Sequence, residues 1–313
     1  MEEDIVIWIN TFGNQNLNYT VENLKRATCN IKGKIYVVIS WGNPPFNVLE
    51  RLLEFENEVK KLFKIIPLLL PKWGSPKQRD ITLRYILRKF PRVKYIIHME
   101  DDVIVEDPCW LDSIVRIMNT VDKDIALLGL EPASIHCINL VGRLYPDSNK
   151  KLVIGFVPAC GLYIIRAGVL RELIFKGLGT YSPFMYFFWE DKEFSLKLWL
   201  MGYKTASYRG LTYTHLGSTS KSRPIHRRYT RYLGPILATL INMPLHLAIP
   251  VVLVRLLYTF LSAIRNNELL LFYRANYFLL KELKHIWVHR LYRRKIFRDY
   301  SALKAYISLC FHI

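Results

Sequence analysis

Short runs of apolar, mostly β-branched residues recur along the first 130 positions, separated by stretches whose apolar residues fall at three- and four-residue steps. Residues 4–10 (DIVIWIN), 33–40 (GKIYVVIS), 64–70 (KIIPLLL), 93–99 (VKYIIHM) and 124–130 (DIALLGL) read as buried strands. Residues 19–30, 47–63, 74–90 and 109–119 lie between them and read as helices. Ser75 is placed as an N-cap, with Pro76 at the first helical position, where its missing N–H costs nothing. Asp107-Pro108 repeats that signal. Strand and helix alternate through short connectors. This predicts an α/β fold with a mostly parallel, Rossmann-like sheet and helices on both faces.

From residue 151 the pattern changes. Residues 151–165 hold two apolar runs divided by Pro158 and Gly161, and a short helix follows from Ala167. Residues 189–204 (WEDKEFSLKLWLMGYK) read as a helix opening on two acids, and 205–208 and 211–216 as two short strands. A Gly- and Ser-rich linker, 217–224, leads to a helical, apolar and basic tail. Of the formal net charge of +18, about +13 falls in residues 221–313, which hold 16 Lys and Arg against 3 acids. A basic tail away from the acids implies an anionic surface as partner, not an anionic substrate at its own centre. The five cysteines are scattered, odd in number and never spaced as CxxC. They read as reduced core residues of a cytosolic protein, with no zinc site. Nothing at the start resembles a signal peptide.

Two acid clusters carry the candidate chemistry. Glu100, Asp101 and Asp102 end the fourth strand-like run. In open α/β sheets ligands bind at the carboxyl ends of strands, and Mg²⁺ or Mn²⁺ commonly takes one or two carboxylates and leaves positions for phosphates. The cluster fits a metal that carries a diphosphate, or a solvated turn. Glu190-Asp191 opens a helix after the aromatic stretch 181–189. These acids complement the helix dipole, or supply a general base beside a platform for a sugar ring. His215 precedes the Gly/Ser loop and reads as a structural histidine or as a ligand to a metal.

The order of these segments, EDD after a strand, then PACGLYIIRAGVL, WEDKEFSLKLWLMGYK and YTHLGSTS, resembles the inverting family 2 glycosyltransferases of GT-A fold. The likeness covers nearly the whole chain. GSPKQRDITLRYI resembles the family segment in which a Gly leads to an Arg-containing pair, here Arg79-Asp80, and the tail resembles the membrane-associated tails of many members. The resemblance implies that Asp102 binds the metal, that Glu100 lies near the ribose or metal, and that Asp101 is the accessory acid. Asp191 is implied as the base, Glu190 as its neighbour, and His215 as a further ligand to metal or diphosphate. Thr11, Ser40, Arg79 and Asp80 are implied on the nucleotide side, Gly161 and Trp189 on the acceptor side. The family's Asp after the second strand is here Ser40, beside Trp41, and its first-strand Pro is Asn10. UDP is therefore not assumed.

These roles imply a catalytic domain over 1–222, with a nucleotide part (1–130) and an acceptor part (131–222), and a helical tail over 223–313. The implied donor is a nucleoside-diphosphate sugar and the implied cofactor Mn²⁺ or Mg²⁺. The implied acceptor is a glycan or lipid-linked saccharide. Residues 235–254 carry no formal charge, a marginal length for a membrane span. Arg223, Arg227, Arg228 and Arg231 precede this run, and Arg255 and Arg265 follow it. Basic flanks on both sides favour helices in the interface, or a shallow re-entrant hairpin, at the cytoplasmic face of the membrane over a single crossing. A soluble helical bundle packed on the catalytic domain is the alternative. A metal-dependent nuclease and a sugar nucleotidyltransferase are the competing readings. The absence of a recognised nucleic-acid module speaks against nucleic acid as a partner.

Overall fold

The apolar runs pair because each has both faces to bury. The structure is a computed structural model of the 313-residue chain. It describes residues 5–13, 17–30, 35–71, 75–132, 151–154, 161–182, 185, 189–216 and 224–297, the side chains of 131, 132 and 224–231 excepted. Strands β1 (Ile5–Phe12), β2 (Ile35–Gly42), β3 (Phe63–Leu70) and β4 (Tyr95–Glu100) lie parallel in the order 3-2-1-4. Helices α1 (Asn18–Lys25), α2 (Val48–Val59) and α3 (Ser75–Lys89) connect them. Alternation along each strand sends Ile5, Ile7, Ile9, Val37 and Ile39 to one face, against Val21 and Leu24 of α1 and Leu52, Phe55 and Val59 of α2. The other face carries Trp8, Tyr36 and His98, and Tyr36 meets Phe90 just past α3 at 4.6 Å between ring centres.

Beyond β4 the sheet is mixed. Helices α4 (Trp110–Thr120) and α5 (Ala167–Phe175) accompany it. Strand β8 (Leu162–Arg166) runs antiparallel to β4, β6 (Ile125–Pro132) antiparallel to β8, and β9 (Lys204–His215) parallel to β6. The short strands β5 (Val103–Val105) and β7 (Leu152–Ile154) both pair antiparallel with β9. Among the described residues the sheet has nine strands, and its parallel character is confined to its first half and the β6–β9 pair. Residues 205–216 form no pair of strands: β9 is one strand, and a register shift between Leu130 and Glu131, which pair with Tyr208 and Thr212, leaves Arg209, Gly210 and Leu211 as an irregular bulge.

Two local expectations are corrected by the contact between α1 and α4. The first helix stops at Lys25, five residues short of the expected end. Asp112 holds the following loop, accepting from the Cys29 amide at 2.6 Å and the Asn30 amide at 3.0 Å. The Asp107-Pro108 cap is not used either: α4 starts at Trp110, after Cys109 in a left-handed conformation (φ +56°). The amides of Cys109 and Leu111 bond instead to the carbonyls of Arg26 and Ala27, at 2.8 and 2.9 Å. Cys29 and Cys109 are joined as a disulfide with Cα atoms 5.3 Å apart, so these two cysteines are not reduced core residues. Cys137, Cys160 and Cys310 lie outside the described residues.

The chain separates into two compact units. One comprises Met1–Thr180 with Lys204–Ser218, and the other Tyr181–Tyr203 with Thr219–Ile313. The division differs from the boundary expected after residue 222, because 181–203 groups with the tail. The second unit contains α6 (Glu190–Leu200), α7 (Pro224–Asn242), α8 (Leu245–Arg265) and α9 (Leu269–Arg294). Helix α7 packs against the other three. Helices α8 and α9 mix apolar and charged residues on both their buried and their exposed sides: Arg265 of α8 and Arg274, Lys281, Lys284 and Arg294 of α9 are exposed. Arg255 and Thr259 of α8 and Arg290 and Arg293 of α9 are buried. Leu253, Leu257 and Leu261 of α8 and Tyr273, Tyr277 and Leu280 of α9 are each more than half exposed. Helix α8 is also long and apolar enough to cross a membrane.

Candidate active site

The acid cluster sits where β4 ends. Glu100 is its last residue, Asp101 and Asp102 form a turn, and the chain re-enters the sheet at once as β5. Because β5 pairs with β9 in the register Val103↔His215, the histidine at the end of β9 is carried to the turn. The Leu216 amide fixes it there, donating to the Asp102 carbonyl at 3.0 Å. His215 Nε2 lies 3.1 Å from Asp102 Oδ1 and 3.2 Å from Glu100 Oε2. The structure thus brings together Glu100, Asp102 and His215, which come from segments more than a hundred residues apart.

Three adjacent carboxylates repel, and each finds a different relief. Arg79, 4% exposed on α3, donates from Nη2 to Glu100 Oε1 at 2.9 Å. Asp102 faces His215. Asp101 keeps its proton more readily than an ordinary carboxylic acid. Burial pushes it up to about 7; the Thr11 hydroxyl, donating to Asp101 Oδ2, works against that shift, and the charges of Asp102 and Glu100 add to it. Near neutral pH the cluster therefore carries less negative charge than its sequence suggests.

The neighbouring positions divide into those near the cluster and those committed to holding the fold. Thr11, at the end of β1, touches Asp101 directly. Gly161 accepts from the Glu100 amide through its carbonyl at 2.9 Å. A Cβ at Gly161 would stand 2.9 Å from Val103 Cγ2 and 3.0 Å from the Tyr213 ring, so the close approach requires glycine. Ser40 is fully buried, accepts from Trp8 Nε1 at 2.9 Å and donates to Asn10 Oδ1 at 3.1 Å. Its hydroxyl is spent inside the sheet. Asp80 accepts from the Thr180 amide and hydroxyl, both at 2.8 Å, and from Arg84 Nε at 2.7 Å. It anchors the loop after α5. Sequence reasoning did not single out Gln78, whose Nε2 donates to the carbonyls of Ser40 at 3.0 Å and Thr11 at 3.3 Å. This side chain ties the ends of β1 and β2 together. Its sequence signal is Gly42, where a Cβ would collide with it.

In the second unit, α6 begins at Glu190 with Trp189 as its cap residue. Trp189 is 3% exposed: Gly234 of α7 lies against it, and Lys192 Nζ is 4.3 Å above its ring centre. Of the aromatic stretch, residues 183, 184 and 186–188 lie outside the described residues, as do 217–223 of the Gly/Ser loop. Glu190 is buried. Asp191 is partly exposed and accepts from the Tyr181 hydroxyl at 3.4 Å; the Tyr181 ring stacks on Phe194 at 4.7 Å. A carboxylate held by a phenol in the first turn of a helix can bind a hydroxyl and take its proton.

Glu100, Asp102 and His215 each offer one ligand atom, and the three atoms lie within 4.8 Å of one another. Two carboxylate oxygens and an imidazole nitrogen at that spacing suit a divalent cation.

No family model matches the sequence, and no curated protein does. Solved structures do match. The mannosyltransferase PcManGT from Pyrobaculum calidifontis, in complex with GDP-Man and Mn²⁺, gives a TM-score of 0.53 at 12% identity, over 99% of this chain and 86% of that one. TarS of S. aureus gives 0.51 at 13% identity over 75% of this chain, which spans 39% of the length of TarS. GalNAc-T7, with UDP, GalNAc and Mn²⁺, gives 0.51 at 17% identity, over 75% of this chain and 51% of that one. At such identities the likeness shows the fold: the chain has the GT-A fold.

Proposed function

We propose that the protein is a metal-dependent, inverting glycosyltransferase. It transfers a sugar from a nucleoside-diphosphate sugar to a hydroxyl of a saccharide or lipid-linked glycan at the membrane. The observation that carries this reading is the meeting of Glu100, Asp102 and His215 at the end of β4, in a GT-A fold. PcManGT and GalNAc-T7, two similar proteins, were each solved with Mn²⁺ together with a nucleotide or nucleotide sugar.

In this reading Asp102, Glu100 and His215 hold the cation. The imidazole favours Mn²⁺ over Mg²⁺, which prefers oxygen ligands alone. When bound, the cation supplies positive charge against the diphosphate leaving group, a term of several kcal/mol in comparable sites. Arg79 fixes the direction of the Glu100 carboxylate. Thr11 orients Asp101. Asp191 accepts the proton of the acceptor hydroxyl, an effect of about 10²- to 10⁴-fold, and attack opposite the leaving group inverts the anomeric carbon. Tyr181 steadies the Asp191 carboxylate. Glu190 stands beside it as the buried neighbour.

The exposed apolar residues of α8 and α9 support the membrane part of the reading. Leucines and tyrosines turned outward, interleaved on α9 with Arg274, Lys281, Lys284 and Arg294, suit an amphipathic helix on a membrane surface. Helix α8 also buries Ala248, Val251 and Ala263 in its own unit, which favours a helix pair lying in one leaflet.

The test is a panel of nucleoside-diphosphate sugars with and without Mn²⁺, read by thermal shift and by release of the nucleotide product. Metal-dependent stabilisation by one donor, lost in Asp102→Asn, is expected. Transfer should be abolished in Asp191→Asn with donor stabilisation intact. Release of pyrophosphate instead of a nucleoside diphosphate would identify a nucleotidyltransferase and overturn the proposal.

A further inference from the structure

The second unit contains a buried ionic network that the proposed reaction does not use. Glu193 and Lys197, one turn apart on α6, have no exposed surface, and Arg293 in the last turn of α9 is 3% exposed. Arg293 Nη1 donates to Glu193 Oε1 and to Asn242 Oδ1, each at 2.6 Å, and its Nη2 donates to Ser182 Oγ at 2.6 Å. Lys197 Nζ lies 3.4 Å from Glu193 Oε2. Burial alone would raise the Glu193 carboxyl, but Lys197 and Arg293 outweigh it and hold it below the usual range. Such a network is a poor device for stability. Well-packed apolar residues of the same volume do as well or better, and the ionic version persists where direction and register matter.

Its endpoints show what is being directed. Ser182 adjoins Tyr181, whose hydroxyl contacts Asp191. Glu193 lies within one turn of Glu190 and Asp191, and its amide bonds to the Trp189 carbonyl at 2.8 Å. One guanidinium therefore grips both the segment that presents the phenol and the helix that presents the carboxylate. Asn242 at the end of α7 completes the clamp. We propose that Arg293 is a positioning residue: from the C-terminal helix it sets the Tyr181–Asp191 pair by holding Ser182 and Glu193 in fixed relation. This rests on the reading of Asp191 as the base. It adds that α9, otherwise a membrane-facing helix, is part of the catalytic apparatus.

The test compares full-length wild type, Arg293→Lys, Arg293→Met and the triple variant Glu193→Leu, Lys197→Met and Arg293→Met. Arg293→Met alone leaves Glu193 with one cation fewer and is expected to lower Tm. The triple variant removes all three buried charges, so that none is left without a partner, and is expected to regain Tm. The expected result is that its kcat stays about 10- to 100-fold below wild type with the donor KM unchanged. Hydrogen exchange across residues 181–194 should stay faster than in wild type. Arg293→Lys, which keeps the charge but not the fork, should regain Tm without regaining full kcat. Recovery of kcat along with Tm in the triple variant would overturn the proposal and leave Arg293 a purely structural residue. If the wild type transfers no sugar, the functional reading fails on its own, and the exchange data still decide: unchanged protection across 181–194 sinks the positioning role.

Discussion

Asp101→Asn in the metal-free protein isolates the electrostatics of the acid turn. The wild-type carboxyl is raised from 3.8 to about 7, chiefly by burial. The folded state therefore binds a proton more tightly than the unfolded chain. Stability from this group is fully present below pH 4 and is lost as pH rises through about 7. Between pH 5 and pH 8 the linkage amounts to about 2–3 kcal/mol, at 1.36 kcal/mol per unit. Asparagine preserves the shape and has no proton to lose. The difference in stability between variant and wild type should therefore move in favour of the variant by that amount over the same range. Urea unfolding of both proteins at half-unit pH intervals in chelator, followed by a probe in the first unit, measures it. Parallel pH profiles for the two proteins would refute the reasoning.

His98 is fully buried between Trp8 at 4.4 Å and Tyr163 at 4.7 Å, and neither ring nitrogen has a hydrogen-bond partner among the described residues. Burial, with help from Arg79, holds it well below 6.5, so its contribution is present above that pH and fades as pH falls. His98→Phe should leave Tm unchanged or raised at pH 7 and flatten its decline toward pH 5; a Tm loss at pH 7 would show an unrecognised partner. The Cys29–Cys109 bridge closes an 80-residue separation, and reduction or Cys29→Ser should cost about 2–4 kcal/mol. Thiol counting under denaturing, non-reducing conditions checks the bond itself. Leu257→Glu or Tyr277→Glu on the outward faces of α8 and α9 should each weaken binding to anionic vesicles at least about tenfold in flotation, with the fold retained. Unchanged flotation would remove the membrane from the proposal.

The parallel half of the sheet was legible because each of its strands is a continuous apolar run with an amphipathic helix behind it. Strand β5 was not, since three residues carry no periodicity. Yet β5 is what brings His215 to Asp102, so the site's central contact was expected from resemblance and not from pattern. Asp80 and Ser40 looked functional because of where they stand relative to motifs. Only the structure shows Asp80 holding Thr180 and Ser40 holding Trp8. The cysteine pairing was hidden because it depends on two loops meeting in space. The charge excess of the tail was read correctly from sequence as a total. Its distribution, with Arg255, Arg290 and Arg293 inside and leucines outside, is a property of packing that no count of residues reveals.

Glu193 and Arg293 are separated by 100 positions, and that interval is also a delay. At synthesis rates of about 5–20 residues per second, some 5–20 seconds pass between the ribosome's addition of one and the other. During that time α6 has emerged with Glu193 and Lys197 lacking the surroundings that will enclose them. The second unit can close only after Arg293 has been added. A nascent chain stopped before that point would leave an acid and a lysine facing an unfilled interior. Quality control acting on such a chain would be reading the last turn of α9 as a completion mark.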